Sequence, residues 1–101
     1  MICGGLTKQS SIENNIIIFC KQLYSELESE SQTLGRNGLF QIFEPIEVYT
    51  QVVAGINYFI KIQITEEGEC IHARIFQDLH KQVSLHSIQV NKSTDDSITY
   101  F

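Results

Sequence analysis

Cys70 and His72 stand two residues apart, so on a β-strand they share one face. A thiol beside an imidazole is the raw material of nucleophilic catalysis. That pair still needs a third group to orient the base, and nothing in the sequence points to one. Adding His86 makes a set of zinc-type donors, but they would have to converge from separate strands. The carboxylates from Glu26 to Glu30 read as a solvated helix face rather than an acid/base pair. The chain is therefore not read as an enzyme, and no metal or cofactor is expected. Cys3 differs, because a thiol near a chain terminus is accessible enough to oxidise or to link two chains.

A second stretch suggests recognition rather than catalysis. "QVVAG", Gln51 to Gly55, interrupts a run that alternates like a strand from Ile46 to Ile64. As one strand that run would extend roughly 60 Å at ~3.3 Å per residue. A domain of ~100 residues has a radius of gyration of only ~13 Å. The run must reverse, and Gly55 is its one strong breaker. Hairpin tips favour Asn-Gly, Asp-Gly or Gly-Gly. Val52, Val53 and Ala54 tolerate positive φ poorly and are more stable out of water. Such a tip either folds onto its own domain or projects toward a partner surface.

The elements that must hold this tip follow from periodicity. Ser10 and Glu13 have capping-box spacing. Beyond them Ile12, Ile16, Phe19, Cys20, Leu23 and Leu27 recur at helical spacing and predict an amphipathic helix, with Ile18 pointing away from its apolar stripe. "ESESQTLGRNG" ends that helix in turn residues. After Gly38 the period becomes two, with strands expected at Leu39 to Val53, Ile56 to Thr65, Cys70 to Leu79, Leu85 to Val90 and Ile98 to Phe101. Pro45 predicts a bulge, and "EEG" at Glu66 to Gly68 predicts a polar hairpin turn. The fold class expected is α+β: one N-terminal helix packed on an antiparallel sheet of four to five strands, in a single domain spanning residues 1–101.

Composition narrows the partners. A hydrophobic share of 43% suits one packed core, and no apolar run approaches a membrane span. A formal charge of −5 and scattered basic residues speak against nucleic acid. Three widely spaced cysteines make no disulfide framework, and "MICGGLTKQS" lacks the basic and apolar regions of a secretory signal, so the cytoplasm is the expected compartment.

These residues carry a family resemblance. "QVVAG" fits the Gln-x-Val-x-Gly signature of the cystatins, and the chain resembles a stefin, the intracellular, disulfide-free branch of that superfamily. "MICGG", "QVVAGINYFIKI", "ARIFQDL" and "DDSITYF" resemble stefin segments in the same order over the whole chain. The resemblance implies a cystatin-like fold and reversible, tight-binding inhibition of papain-like, cathepsin-type cysteine proteases. It implies three protease-binding pieces forming an apolar wedge: Ile2, Cys3, Gly4 and Gly5; then Gln51, Val52, Val53, Ala54 and Gly55; then Leu79 and His80. A monomer is expected, with a domain-swapped or Cys3-linked dimer as a further form. Two departures stand out. Leu79-His80 replaces the family's usual Leu-Pro, in a loop that looks short, and the segment before the first long strand looks longer, as a surface insertion would. The alternative is a non-inhibitory interaction module on the same fold.

Gly4 has no Cβ, which lets its backbone lie against another chain. Gly4→Arg is expected to weaken protease inhibition severely while leaving the circular dichroism spectrum and melting temperature unchanged. Equal inhibition by variant and parent would remove the N-terminal piece from the wedge.

Overall fold

Helical periodicity in the first third and two-residue periodicity after it become two layers. The computed structural model describes residues 5–101. Its elements run β1 (Thr7–Lys8), α1 (Asn14–Gln22), α2 (Tyr24–Thr33), β2 (Glu44–Val53), β3 (Gly55–Gln63), β4 (Glu69–Gln77) and β5 (Val83–Ser93). The strands form one sheet in the order β1-β2-β3-β4-β5, every neighbouring pair antiparallel.

The expected helix forms with a bend at Leu23 (φ −101°, ψ 10°) that separates α1 from α2. Hydrogen bonds continue across it: Leu23 N donates to Phe19 O at 3.1 Å and Leu27 N to Leu23 O at 2.9 Å. No Gly or Pro lies there, and Leu23 is itself buried, so packing on the sheet sets the bend. The Ser10–Glu13 capping box does not form. Glu13 is the N-cap and has no side-chain cap bond, while Asn15 Oδ1 accepts from Ile16 N at 2.9 Å. Ile16, Phe19, Cys20, Leu23 and Leu27 pack on Tyr58, Ile60, Ile62, Ile71, Ala73 and Ile75 of the sheet, and Ile18 faces solvent.

Pro45 bulges β2 as its missing N–H requires, with a register shift between Pro45 and Glu47. The segment before β2 is more than a surface insertion. Phe40 and Arg36 are buried in it, Phe40 lies edge-on to Tyr24, and Arg36 Nε pairs with Glu69 Oε2 at 3.0 Å. Ile98 to Phe101 is not a strand. This tail crosses the sheet face opposite the helices, setting the Tyr100 and Phe101 rings 5.7 and 5.5 Å from that of Phe59. Arg74 clamps it, with Nη1 donating to the Phe101 carbonyl at 3.0 Å and the guanidinium over the Phe59 and Tyr100 rings.

Beside that tail β3 carries a buried charge. Lys61 Nζ pairs with Glu47 Oε1 at 3.3 Å and donates to Thr94 O at 2.8 Å. Burial alone would raise the Glu47 carboxyl, but hydrogen bonds from Lys8 and Lys61 outweigh it and hold the pKa below its usual value. His72, directly opposite Lys61 in the register, is fully buried, and neither ring nitrogen has a hydrogen-bond partner among the described residues.

Burial first, then the positive charges of Lys61 and Lys92, push the His72 imidazole down to about 4 against the smaller pull of Asp96 and Glu47. The unfolded chain binds that proton near the ordinary value of about 6.5 while the folded chain waits for lower pH. Stability is therefore fully present above that ordinary value and falls as the pH drops toward the folded value, by about 1.4 kcal/mol per pH unit in between. Urea unfolding at steps from pH 7 to 4.5 should show this slope. An NMR titration of the His72 ring with an unshifted midpoint would refute the assignment.

Candidate functional site

One end of the sheet gathers two hairpin tips. β2 and β3 reverse through Ala54, with Val53 opposite Gly55 and Val52 opposite Ile56. Gly55 sits at φ +117°, where L side chains are rarely found. A Cβ there would collide with the Gln77 carbonyl oxygen and come within 2.9 Å of the Phe76 ring. Gly55 thus turns the chain and also lets it lie against β4.

Side chains sort sharply along this hairpin. Gln51 and Asn57 face each other one step below the tip, both buried, and Asn57 Nδ2 donates to Gln51 Oε1 at 2.9 Å. Above that polar pair Val52 is 74% exposed and Val53 39%. The tip projects, which decides between the two alternatives that its sequence leaves open.

β4 and β5 make the second tip, Asp78 to Gln82, where Leu79 is 75% exposed and His80 is exposed. The loop closes through Asp78 N to Gln82 O at 2.9 Å and Lys81 N to Asp78 O at 3.0 Å. Asp78 Oδ1 accepts from the backbone N–H groups of His80, at 2.8 Å, and Gln82, at 3.0 Å. Between the tips lies an open groove of about 250 Å³ lined by Val52, Val53, Gly55, Ile56, Asp78 and Leu79, among others.

The N-terminal segment approaches the same end. Thr7 pairs with Thr50 and Lys8 with Tyr49, so the chain at Leu6 and Gly5 runs toward the Val52 tip. Gln9 fixes this edge, its Nε2 donating to Thr50 Oγ1 at 2.9 Å and its backbone N to Val48 O. Gly5 is exposed, with open space where a Cβ would stand. Ile2, Cys3 and Gly4 lie outside the described residues.

The thiols and imidazoles are arranged differently. Cys70 and His72 share the tail-covered face of β4 and both are buried. Burial raises the Cys70 thiol and pushes Cys20 up to about 12, so neither is a ready thiolate. His86 lies exposed on β5 against the Phe76 ring. Among the described residues no three His, Cys, Asp or Glu side chains group closely enough to hold a metal ion.

Sequence reasoning missed four supports of this end: the β1 pairing, Asn57 beneath the first tip, Phe76 against Gly55, and the Asp78 carboxylate inside the second loop. Asp78 alone had a local signal, since Asp followed closely by a chain reversal commonly bonds backbone N–H groups ahead of it.

Comparison with known proteins gives a consistent result. The family description "Cystatin domain" matches residues 25–95. Cystatin-B of Bos taurus is 36% identical and cystatin-A of Mus musculus 38% identical, each alignment covering all of both chains. Stefin-C of Bos taurus is 36% identical over 97% of this chain and 94% of its own.

Gly55→Ala adds a single methyl at a positive φ and against the Gln77 backbone. It should cost about 2 kcal/mol of unfolding free energy, the usual scale for strain of this kind. Chemical denaturation measures it, and an unchanged midpoint would show that the tip relaxes freely.

Proposed function

The chain belongs to the cystatin family, and from that premise we propose that it is a reversible, tight-binding inhibitor of papain-like, cathepsin-type cysteine proteases. The observation that carries this reading is the exposed Val52 and Val53 of one tip and Leu79 of the other, flanking one groove at a single end of the sheet. Both tips are too narrow to wrap a partner, and each offers it exposed apolar side chains, Val52 and Val53 on the first and Leu79 on the second. They suit insertion into a cleft.

Inhibition then needs no chemistry from this chain. Val52 and Leu79 enter the protease cleft and lose their water, each side chain contributing about 1.5–3 kcal/mol when fully buried. A hairpin held in shape beforehand loses little conformational entropy on docking, so a small contact area can still bind tightly. The tip backbone covers the catalytic cysteine without offering it a bond to cleave. The proposed N-terminal piece, Ile2 to Gly5, lies along the unprimed side of the cleft, and His80 stands at the opposite rim beside Leu79. Gln51 and Gly55 act from below, as the support and the pivot of Val52 to Ala54.

The proposed working form is one cystatin domain, monomeric and cytoplasmic. No helix among the described residues is long and apolar enough to cross a membrane. Cys20 and Cys70 are buried, which leaves Cys3 as the cysteine proposed to link two chains on oxidation. Opening the β2–β3 hairpin into one strand is the proposed route to a swapped dimer, and such a dimer would lose its first tip.

The test is titration of the reduced monomer against papain and a cathepsin-type endopeptidase, following residual activity. Stoichiometric, reversible inhibition is expected. Val52→Asp should weaken it at least about a hundredfold by carrying an unpaired carboxylate into an apolar contact. Its exposed position should keep its stability within about 0.5 kcal/mol of the parent's. A folded parent that leaves both proteases active would transfer the chain to the alternative, a non-inhibitory interaction module.

A further inference from the structure

The second tip lacks the proline that would stiffen it, yet it is closed by four hydrogen bonds that all involve one residue. Asp78 contributes its own N–H to Gln82 O and its carbonyl to Lys81 N. Its Oδ1 accepts from His80 N and Gln82 N together. Without the side chain those two backbone donors would turn to water, and Leu79 to Lys81 would regain their freedom. Leu79 is the residue bracketed by these bonds, and it points 75% exposed to the rim of the groove.

Resting on the inhibitor reading above, we infer that Asp78 is a positioning residue for the second tip. Its carboxylate locks the backbone from Asp78 to Gln82, a span that includes Leu79, and that lock aims Leu79 before the protease arrives. It touches no reacting atom. Its effect is on the fraction of time that Leu79 spends in the docking geometry, and so mainly on how long the complex lasts. Loop stiffness here comes from a side-chain acceptor where a ring would otherwise supply it.

Two properties separate this role from simple loop stability. The lock needs an acceptor, not a charge, so Asp78→Asn can keep it through the amide oxygen, whereas Asp78→Ala cannot. The lock is also local, so its loss should leave the core untouched.

The experiment measures papain association and dissociation rates for the parent, Asp78→Ala and Asp78→Asn, with backbone amide exchange at His80 and Gln82 in the free proteins. Asp78→Ala should speed dissociation about tenfold with association nearly unchanged, the usual signature of a less prepared binding loop. Its His80 and Gln82 amides should exchange faster while the melting temperature holds. Asp78→Asn should return dissociation and exchange close to the parent. If the parent inhibits and Asp78→Ala dissociates like it, this inference fails and the inhibitor reading stands. Asp78→Asn behaving like Asp78→Ala would also overturn it, by making the negative charge the active feature. A parent that does not inhibit overturns the inhibitor reading itself, and the positioning role with it.

Discussion

Lys61 is buried near the far end of the central strand, and satisfying its charge constrains the register of the sheet. β3 is covered on both faces: Tyr58, Ile60 and Ile62 lie under the helices, while Asn57, Phe59 and Lys61 lie on the face crossed by the tail. A slip of one residue against its neighbours would send the ammonium into the apolar helix layer, away from Glu47 and the Thr94 carbonyl. An unpaired buried charge costs several kcal/mol, more than most of the packing contacts that a slipped sheet would retain. The ion pair contributes little net stability for its own sake. It makes the alternatives worse.

A fixed register decides where both tips stand. With Lys61 opposite Glu47 and His72, Gln51 must meet Asn57 and Gly55 must lie against the end of β4. The first tip therefore rests on two contacts that neither valine makes, a buried amide pair below and the Phe76 ring beside it. This is how Val52 and Val53 can be held in water instead of collapsing onto the domain. The second tip joins β4 to β5, and Gln77 at its base pairs with Ile56 of β3, so the spacing between the tips is a property of the β3–β4 ladder and not of either loop.

Much of this was legible in the sequence, and the failures share a cause. The helix stripe, the outward Ile18, the Pro45 bulge, the turn at Gly68 and the reversal at Gly55 are all signals written within a few residues, and the structure has them. The hidden features are long-range. Nothing near Thr7 announces a two-residue strand, because its pairing depends on Tyr49 and Thr50. "DDSITYF" alternates like a strand, but its aromatic rings serve Phe59 and its backbone joins no ladder. The capping box at Ser10 met its spacing rule and lost to the packing of Ile12 and Ile16, which starts the helix later. At the candidate site the exposed apolar residues could be named from their types. The polar residues that hold them could not, because Asn57 and Asp78 look ordinary until their partners are known.

The tail also sets an order of events. A ribosome makes this chain from the N-terminus, so Phe59 and Lys61 emerge long before Tyr100, Phe101 and Thr94, the groups that cover them. A sheet with its helices docked but without those residues would show water one open face, with an aromatic ring beside an ammonium. That half-covered species is the one a chaperone or a second nascent chain would meet.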